Sequence, residues 1–304
     1  MAALAERQRP AELARRAEAL GADLPPLLVE AQRVAATVAQ GVHGRRRVGQ
    51  GDSFWQFRPF VIGDPSGRID WRQSAKSDRA YIRETEWEAA QTVHLWRSTS
   101  SSMRWRSSRL WPEKRARADL LLLALAALLL RSGERAAMLG NRPVAGRTGL
   151  DRLAMALSRE DTGVDANLPP DVPVPRHARV VLIGDFLAPL TEIRGAVSRL
   201  SVLPVDGHIL QVLDPAEVDL PYEGRVRFFG MRREGETLIP RVENVRDEYA
   251  ARMRAQQEGI AAICAAANWS FGLHRTDHAP EAALLALFAA IGPRSAWQSR
   301  ERLS

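Results

Sequence analysis

Cysteine is almost absent from this chain: Cys264 is the single one in 304 residues. An intramolecular disulfide is therefore excluded, and the composition suits a reducing compartment. Long apolar runs are missing as well. The longest, Leu120–Leu130, has about half the length needed to cross a bilayer. The opening MAALAERQRPAELARR has no apolar core of a secretory signal. The expectation is a cytoplasmic protein that does not span a membrane. Several catalytic signatures are also lacking. No Gly-Lys-Ser/Thr follows the glycine-punctuated basic loop Gly44–Gly51, so the P-loop mechanism has no lysine. No Gly-x-Ser-x-Gly elbow surrounds a serine, which removes the strained turn of a serine hydrolase. His274 and His278 stand four apart in HRTDH, but no cysteine or third histidine lies near them to complete a zinc set.

The hydrophobic share of 45% is ordinary and supports a sizeable core, in one large domain or two modest ones. The net charge of +7 comes from an arginine excess spread along the chain rather than clustered. Such a balance gives a solvated surface and permits contact with an acidic protein, an anionic membrane or nucleic acid.

Periodicity supplies the elements. Leu27–Gln40 places Leu28, Val29, Ala31, Val34 and Val38 at helical spacing. Phe54–Ile62 and Ala80–Glu84 read as extended pieces around the turn GDPSG. Val93–Trp96 reads as a buried strand. Arg115–Arg131 is a helix, apolar nearly all round from Leu120, which must be covered on more than one side. A short strand at Arg135–Leu139 and an amphipathic helix at Gly149–Arg159 follow. Val180–Phe186, VVLIGDF, is the clearest strand, a continuous apolar run of the kind central parallel strands have. Beyond it come a helix at Ile193–Leu203, a strand at Gly207–Leu213 and a loop at Asp214–Gly224. A hairpin at Arg225–Phe229 and Thr237–Pro240, a helix at Glu243–Ala267, a strand at Trp269–Leu273 and a helix at Pro280–Ile291 complete the series. The alternation implies an α/β fold, a doubly wound, mainly parallel sheet with helices on both faces. Ligands on such sheets sit at the carboxyl ends of strands, where Ser98–Ser102 and Asp185 both fall.

The stretch VHLWRSTSSSM, Val93–Met103, is the most informative. Ser98, Ser100 and Ser102 alternate in a loop directly after a strand. Alternating hydroxyls there can hold a hard cation, or they can cap the following turn and satisfy backbone groups.

Four stretches together resemble a bacterial family, the domain-of-unknown-function family numbered fifty-eight. They are FRPFVIGDPSGRIDWRQSAKSDRAYIRETEWE at Phe57–Glu88, the serine loop closing with Ser102–Met103, VVLIGDF, and LQVLDPAEVDLPYEGRVRF at Leu210–Phe228. The resemblance implies a von Willebrand A-like domain. The organisation expected with it is an N-terminal helical segment over 1–40, a signature subdomain over 41–90 packed on the sheet, the von Willebrand A-like domain over 91–292 and a tail over 293–304. The serine loop is similar to a metal-ion-dependent adhesion site, Asp-x-Ser-x-Ser, with Ser98 in place of the Asp. Carried over residue by residue, the site comprises Ser98, Ser100, Ser102, Thr148 in GRTGL and Asp185. One carboxylate remains, and Arg97 and Arg104 flank the loop, so the site is expected to be degenerate, with Mg2+ bound weakly or not at all. Restoring Asp at position 98 is expected to strengthen binding.

Members of that family are often encoded beside MoxR-type AAA+ ATPases. The resemblance therefore implies a non-enzymatic interaction or assembly factor whose partner is such an ATPase or an acidic client. Arg97, Arg104 and Arg106 form the expected docking face. Arg58, Asp64, Arg68, Asp70 and Trp71 form either a second partner surface or an internal salt-bridge and turn network. Two readings of other classes stand beside this one. The first is a metal-dependent hydrolase or phosphotransfer factor using Asp185 and the serine loop. The second is a nucleic-acid-binding module, motivated by the basic balance alone.

Overall fold

The computed structural model describes residues 27–39, 54–60, 69, 71–76, 79–85, 91–160, 165–231 and 235–291. The chain divides into two compact units, 43–90 and the remainder. Residues 27–39 form helix α1. Its periodic residues Ala31, Val34, Ala35 and Val38 are buried in the larger unit. The N-terminal helix thus belongs to the core of the sheet unit rather than standing as a separate segment.

The smaller unit carries a two-stranded antiparallel ribbon, β1 (Phe54–Pro59) and β2 (Tyr81–Thr85), with the short helix α2 (Trp71–Ser74) between them in sequence. Ser74 Oγ accepts from the Tyr81 backbone N–H at 2.8 Å and ties α2 to the start of β2. Trp71 is 69% exposed. Arg58 lies in β1, paired with Ile82. Asp64, Arg68 and Asp70 lie outside the described residues.

The larger unit is built on β3 (Thr92–Arg97), α3 (Lys114–Arg131), β4 (Arg135–Met138), α4 (Arg147–Glu160), β5 (Arg179–Gly184), α5 (Leu190–Leu200) and β6 (Asp206–Leu213). After β6 come α6 (Pro215–Asp219), an antiparallel hairpin of β7 (Val226–Phe229) and β8 (Glu236–Ile239), α7 (Arg246–Ala266), β9 (Ser270–Arg275) and α8 (Pro280–Ala290). The sheet order is β4-β3-β5-β6-β9, and every pair is parallel. β3 and β5 are buried along their whole lengths apart from Thr92, as their unbroken apolar runs require. Strand order reverses between β3 and β5. The first connection runs outward to β4, and the later ones run the other way to β6 and β9. The carboxyl ends of β3 and β5 flank this switch point, where crevices in such sheets form.

Side chains alternate between two faces. Val93, Leu95, Val181 and Ile183 join a core with α1, α3, α4 and α8. Trp96, Val180, Leu182 and Ile209 join a second core with α5 and α7. The first core answers the question posed by Leu120–Leu130: sheet, α1, α4 and α8 surround α3, and every residue of that run but Leu130 is buried. The segment Asp214–Gly224, expected as a loop, contains α6. Asp214 caps it through a complete capping box with Glu217, and Pro215 occupies the first turn. Among the described residues no helix is long and apolar enough to cross a membrane.

Candidate functional site at the carboxyl ends of β3 and β5

β3 ends at Arg97 and the chain enters the serine loop beside the end of β5, with the Ser98 N–H donating to Ile183 O at 2.8 Å. The two strands approach closely here. A Cβ built on Gly184 would lie 3.0 Å from the Ser98 Cβ, so a side chain at that glycine would press on the loop. The three serines behave differently. Ser98 Oγ, fully buried, donates to Ala166 O at 3.1 Å and accepts from the Ser100 N–H at 3.2 Å. Ser100 caps the short 3-10 turn Ser101–Arg104, and its Oγ lies 2.9 Å from Ser102 Oγ. Ser102 Oγ donates to Asp185 Oδ2 at 2.6 Å. Backbone capping thus accounts for Ser98 and part of Ser100, while Ser102 reaches the carboxylate at the end of the neighbouring strand.

Asp185 is 2% exposed and sits in a polar chain that the sequence reading did not anticipate. Lys114 Nζ, from the first residue of α3, lies 3.1 Å from Asp185 Oδ2 and 2.5 Å from Glu217 Oε1. Glu217 Oε2 accepts from the Asp214 N–H at 2.9 Å, and Glu217 O accepts from Tyr249 Oη at 2.5 Å. Asp214 accepts from the Ser107 and Ala216 N–H groups at 2.9 and 2.8 Å. Burial pushes the Glu217 carboxyl above its ordinary value, and the Lys114 ammonium opposes that rise. The backbone after Asp185 is held as firmly. Asp185 O accepts from Gln211 Nε2 at 2.8 Å. Phe186 takes a φ of +46°, a left-handed value uncommon for a bulky residue. Gln256 of α7 donates to Phe186 O and Ala188 O at 3.0 and 2.8 Å and pins that turn.

Two expected residues fall elsewhere. Thr148 does not join the serine loop. After β4 the chain turns back, and Val144 pairs antiparallel with Ala136 near the start of that strand. α4 therefore begins near the amino ends of the strands. A Cβ on Gly149 would lie 3.3 Å from Leu130 Cδ1, beside the carboxyl end of α3. Lys114 marks the opposite end of that helix, roughly 24 Å away at a helical rise of about 1.5 Å per residue. The segment that does cover the loop contains Asp165 and Ala166. Asp165 accepts from Ser101 N–H and Oγ, both at 3.0 Å, and Thr99 N–H donates to Ala166 O at 3.0 Å. Arg97 also lies away from the rim. It is fully buried, with Nε 2.6 Å from Asp119 Oδ1 of α3, so it is no docking residue. Strand alternation puts it on the α3 face with Val93 and Leu95. Arg104 and Arg106 are exposed.

The donor set does not suit a divalent cation. The single carboxylate carried over, Asp185, has one oxygen shared between a hydroxyl and an ammonium. Ser98 turns its hydroxyl to a backbone carbonyl. Hard divalent ions take six or more oxygens, several of them charged. Cys264 and the HRTDH histidines are separate from this site. Burial pushes the Cys264 thiol up to about 12, which leaves it inert. His274 is buried and His278 is exposed, and among the described residues no group of three His, Cys, Asp or Glu could hold a metal.

The family model described as "Protein of unknown function DUF58" matches residues 56–259, about two thirds of the chain. The chain belongs to this family. No curated protein and no solved structure matches it. The family match spans the smaller unit from β1 onward and the sheet as far as α7, including the serine loop, Lys114, Asp185 and Glu217.

Proposed function

We propose that this protein of the DUF58 family is a non-enzymatic interaction or assembly factor, built on a von Willebrand A-like sheet and docking a protein partner at the carboxyl ends of its strands. One observation carries the reading. The polar side chains at the switch point are engaged with each other, and the rim around them is cationic and apolar. Ser102 is bonded to Asp185, and Asp185 and Glu217 share Lys114. The one hydroxyl beside a carboxylate is Ser102, and the Asp185 oxygen it meets also holds the Lys114 ammonium, which weakens that carboxylate as a base. Around the rim, Arg104 and Arg106 are exposed, as are Leu110 (82%), Leu187 (45%), Phe229 (67%) and Met231 (47%). The β7–β8 hairpin reaches this rim: Met231 O accepts from Ser101 Oγ at 3.1 Å. Exposed aromatic, Met and Arg side chains together are the composition of protein interfaces.

The sheet order, with the antiparallel Val144 bridge beyond β4, supports the von Willebrand A-like reading. The partner proposed is a MoxR-type AAA+ ATPase or an acidic client, and the arginine rim suits an acidic surface. The test is recovery of a co-expressed MoxR-type ATPase by the wild-type protein and by a variant carrying Arg104→Ala, Arg106→Ala and Phe229→Ser. Reduced recovery at unchanged thermal stability supports the reading. Undiminished recovery moves the interface away from this rim, and no recovery by either protein removes the ATPase as partner.

A further inference from the structure

We infer that Lys114 is the resident cation of the serine-loop site, an ammonium that does within the chain what a divalent metal does in an adhesion site led by Asp. The geometry comes first. The Lys114 side chain is fully buried, and its Nζ bridges Asp185 at 3.1 Å and Glu217 at 2.5 Å. The Asp185 oxygen it touches is the one that Ser102 Oγ touches at 2.6 Å. Hydroxyl, carboxylate and positive charge are therefore assembled as a metal site assembles them, with the charge supplied by the protein.

The position is one that general physics disfavours. A lysine in the first turn of a helix opposes the positive end of the helix dipole, and taking an ammonium out of water forfeits its hydration. Among the described residues, Asp185 and Glu217 are the carboxylates that offset these costs. Residue choice points the same way. Of the 43 Lys and Arg residues, just Lys76 and Lys114 are lysine. A chain that uses arginine almost everywhere keeps here the compact point charge, which replaces a spherical ion better than a planar guanidinium does.

Charge balance links this residue to the missing Asp. An ammonium brings one positive charge where a metal brings two, and with Ser98 where an adhesion site has Asp the serine loop itself brings no carboxylate; the two that Lys114 meets, Asp185 and Glu217, come from outside it. Ser98 needs no anionic side chain, and its hydroxyl donates to Ala166 O instead. It follows that Ser98→Asp alone does not create a metal site, because Lys114 still holds Asp185. It follows also, on the docking reading above, that partner capture is indifferent to EDTA.

The test titrates Mn2+ into wild type, Ser98→Asp and the double variant Ser98→Asp/Lys114→Met. Free Mn2+ is counted by electron paramagnetic resonance, and thermal unfolding is followed in parallel. Wild type and Ser98→Asp are expected to take up no Mn2+ at millimolar concentration and to keep their unfolding midpoints. The double variant is expected to bind one Mn2+ at least about tenfold more tightly and to gain stability with it. Stoichiometric Mn2+ on wild type or on Ser98→Asp overturns the inference, as does a folded double variant that takes up none. A thermodynamic cycle serves if the double variant does not fold. Lys114→Met/Asp185→Asn should lose clearly less stability than the two single changes added together, and strict additivity overturns the inference. These readouts do not involve the partner, so a failed ATPase recovery leaves them standing, and Mn2+ uptake by wild type leaves the arginine rim in place.

Discussion

Buried charge and buried imidazole set the sharpest expectations at the scale of single residues. Arg97 and Asp119 pair at 2.6 Å between β3 and α3. Removing Arg97 takes the nearer cation from Asp119 and leaves Arg115 at 3.7 Å, so the cost is expected near the lower end of the about 3–5 kcal/mol of a broken buried pair. Arg97→Ala should therefore lower the unfolding midpoint by roughly 6 °C or more, at about 2–4 °C per kcal/mol for a chain of this size. Thermal scans read this directly, and an unchanged midpoint would mean that Arg115 alone satisfies Asp119. Buried histidines act on the acid side, His208 and His274 most strongly and His94 in the same direction. Burial lowers His208 and His274 from 6.5 to about 4, with Arg117 and His278 adding to the effect at His274. A depressed folded pKa means that the unfolded chain takes up protons first. The stabilising contribution is complete above pH 6.5 and is lost as the pH falls through the window toward 4, by up to roughly 3 kcal/mol for each histidine. Glu217, raised by burial, works in the opposite sense and loses its contribution as the pH rises through its folded pKa. Denaturant midpoints between pH 7 and pH 4 should fall in wild type. In His208→Asn, which can keep the contact with Ser270 Oγ, the fall should be shallower, while the buried His94 and His274 still contribute.

Elements depend on one another through two close fits. α1 lays Ala31, Val34 and Val38 into the core that surrounds α3. Val34→Asp puts a carboxylate there without a partner and should cost about 3 kcal/mol or more. The variant should also aggregate on heating, because α3 is then left apolar and uncovered. A soluble, unchanged variant would show that α1 adds little to that core. On the other face, a Cβ added at Gly207 would lie 1.9 Å from the Trp269 ring. Gly207→Ala must shift Trp269, whose Nε1–H donates to Val205 O at 3.1 Å. Overpacking of this kind costs typically about 1–3 kcal/mol, and calorimetry of the variant measures it. Most of these elements were legible in sequence because each rests on local periodicity: 3.6 in α1 and α4, continuous burial in β3 and β5. α6 was missed although its signal is present, since Asp214, Pro215 and Glu217 spell a capping box.

For the molecule as a whole, the arginine excess is expected to act through its surface share alone. Arg104 and Arg106 are exposed, and replacing both by Ala should change stability by less than about 1 kcal/mol while weakening partner capture. That capture should decline as salt rises, because exposed charges are screened. Nucleic acid retained by the net charge of +7 should be released more steeply still with salt. Retention that survives high salt would favour a nucleic-acid-binding module.

The order of apolar runs, turns and amphipathic stretches by itself determined a doubly wound sheet and placed Ser102 and Asp185 at strand ends. Those are consequences of period and of the direction a strand must run. Tertiary structure alone decided what meets Asp185. Lys114 and Glu217 lie 71 and 103 positions from their partners, Asp185 and Lys114 respectively, and no local pattern joins them. The burial of Arg97 was equally hidden, because alternation fixes a face but not the Asp119 that waits on it. The exclusion of Thr148 turns on a single antiparallel return at Val144, which sends α4 to the far end of the sheet. Side-chain type and spacing are local properties, whereas the meeting of charges depends on where each helix begins, and that is set by the packing of the entire sheet.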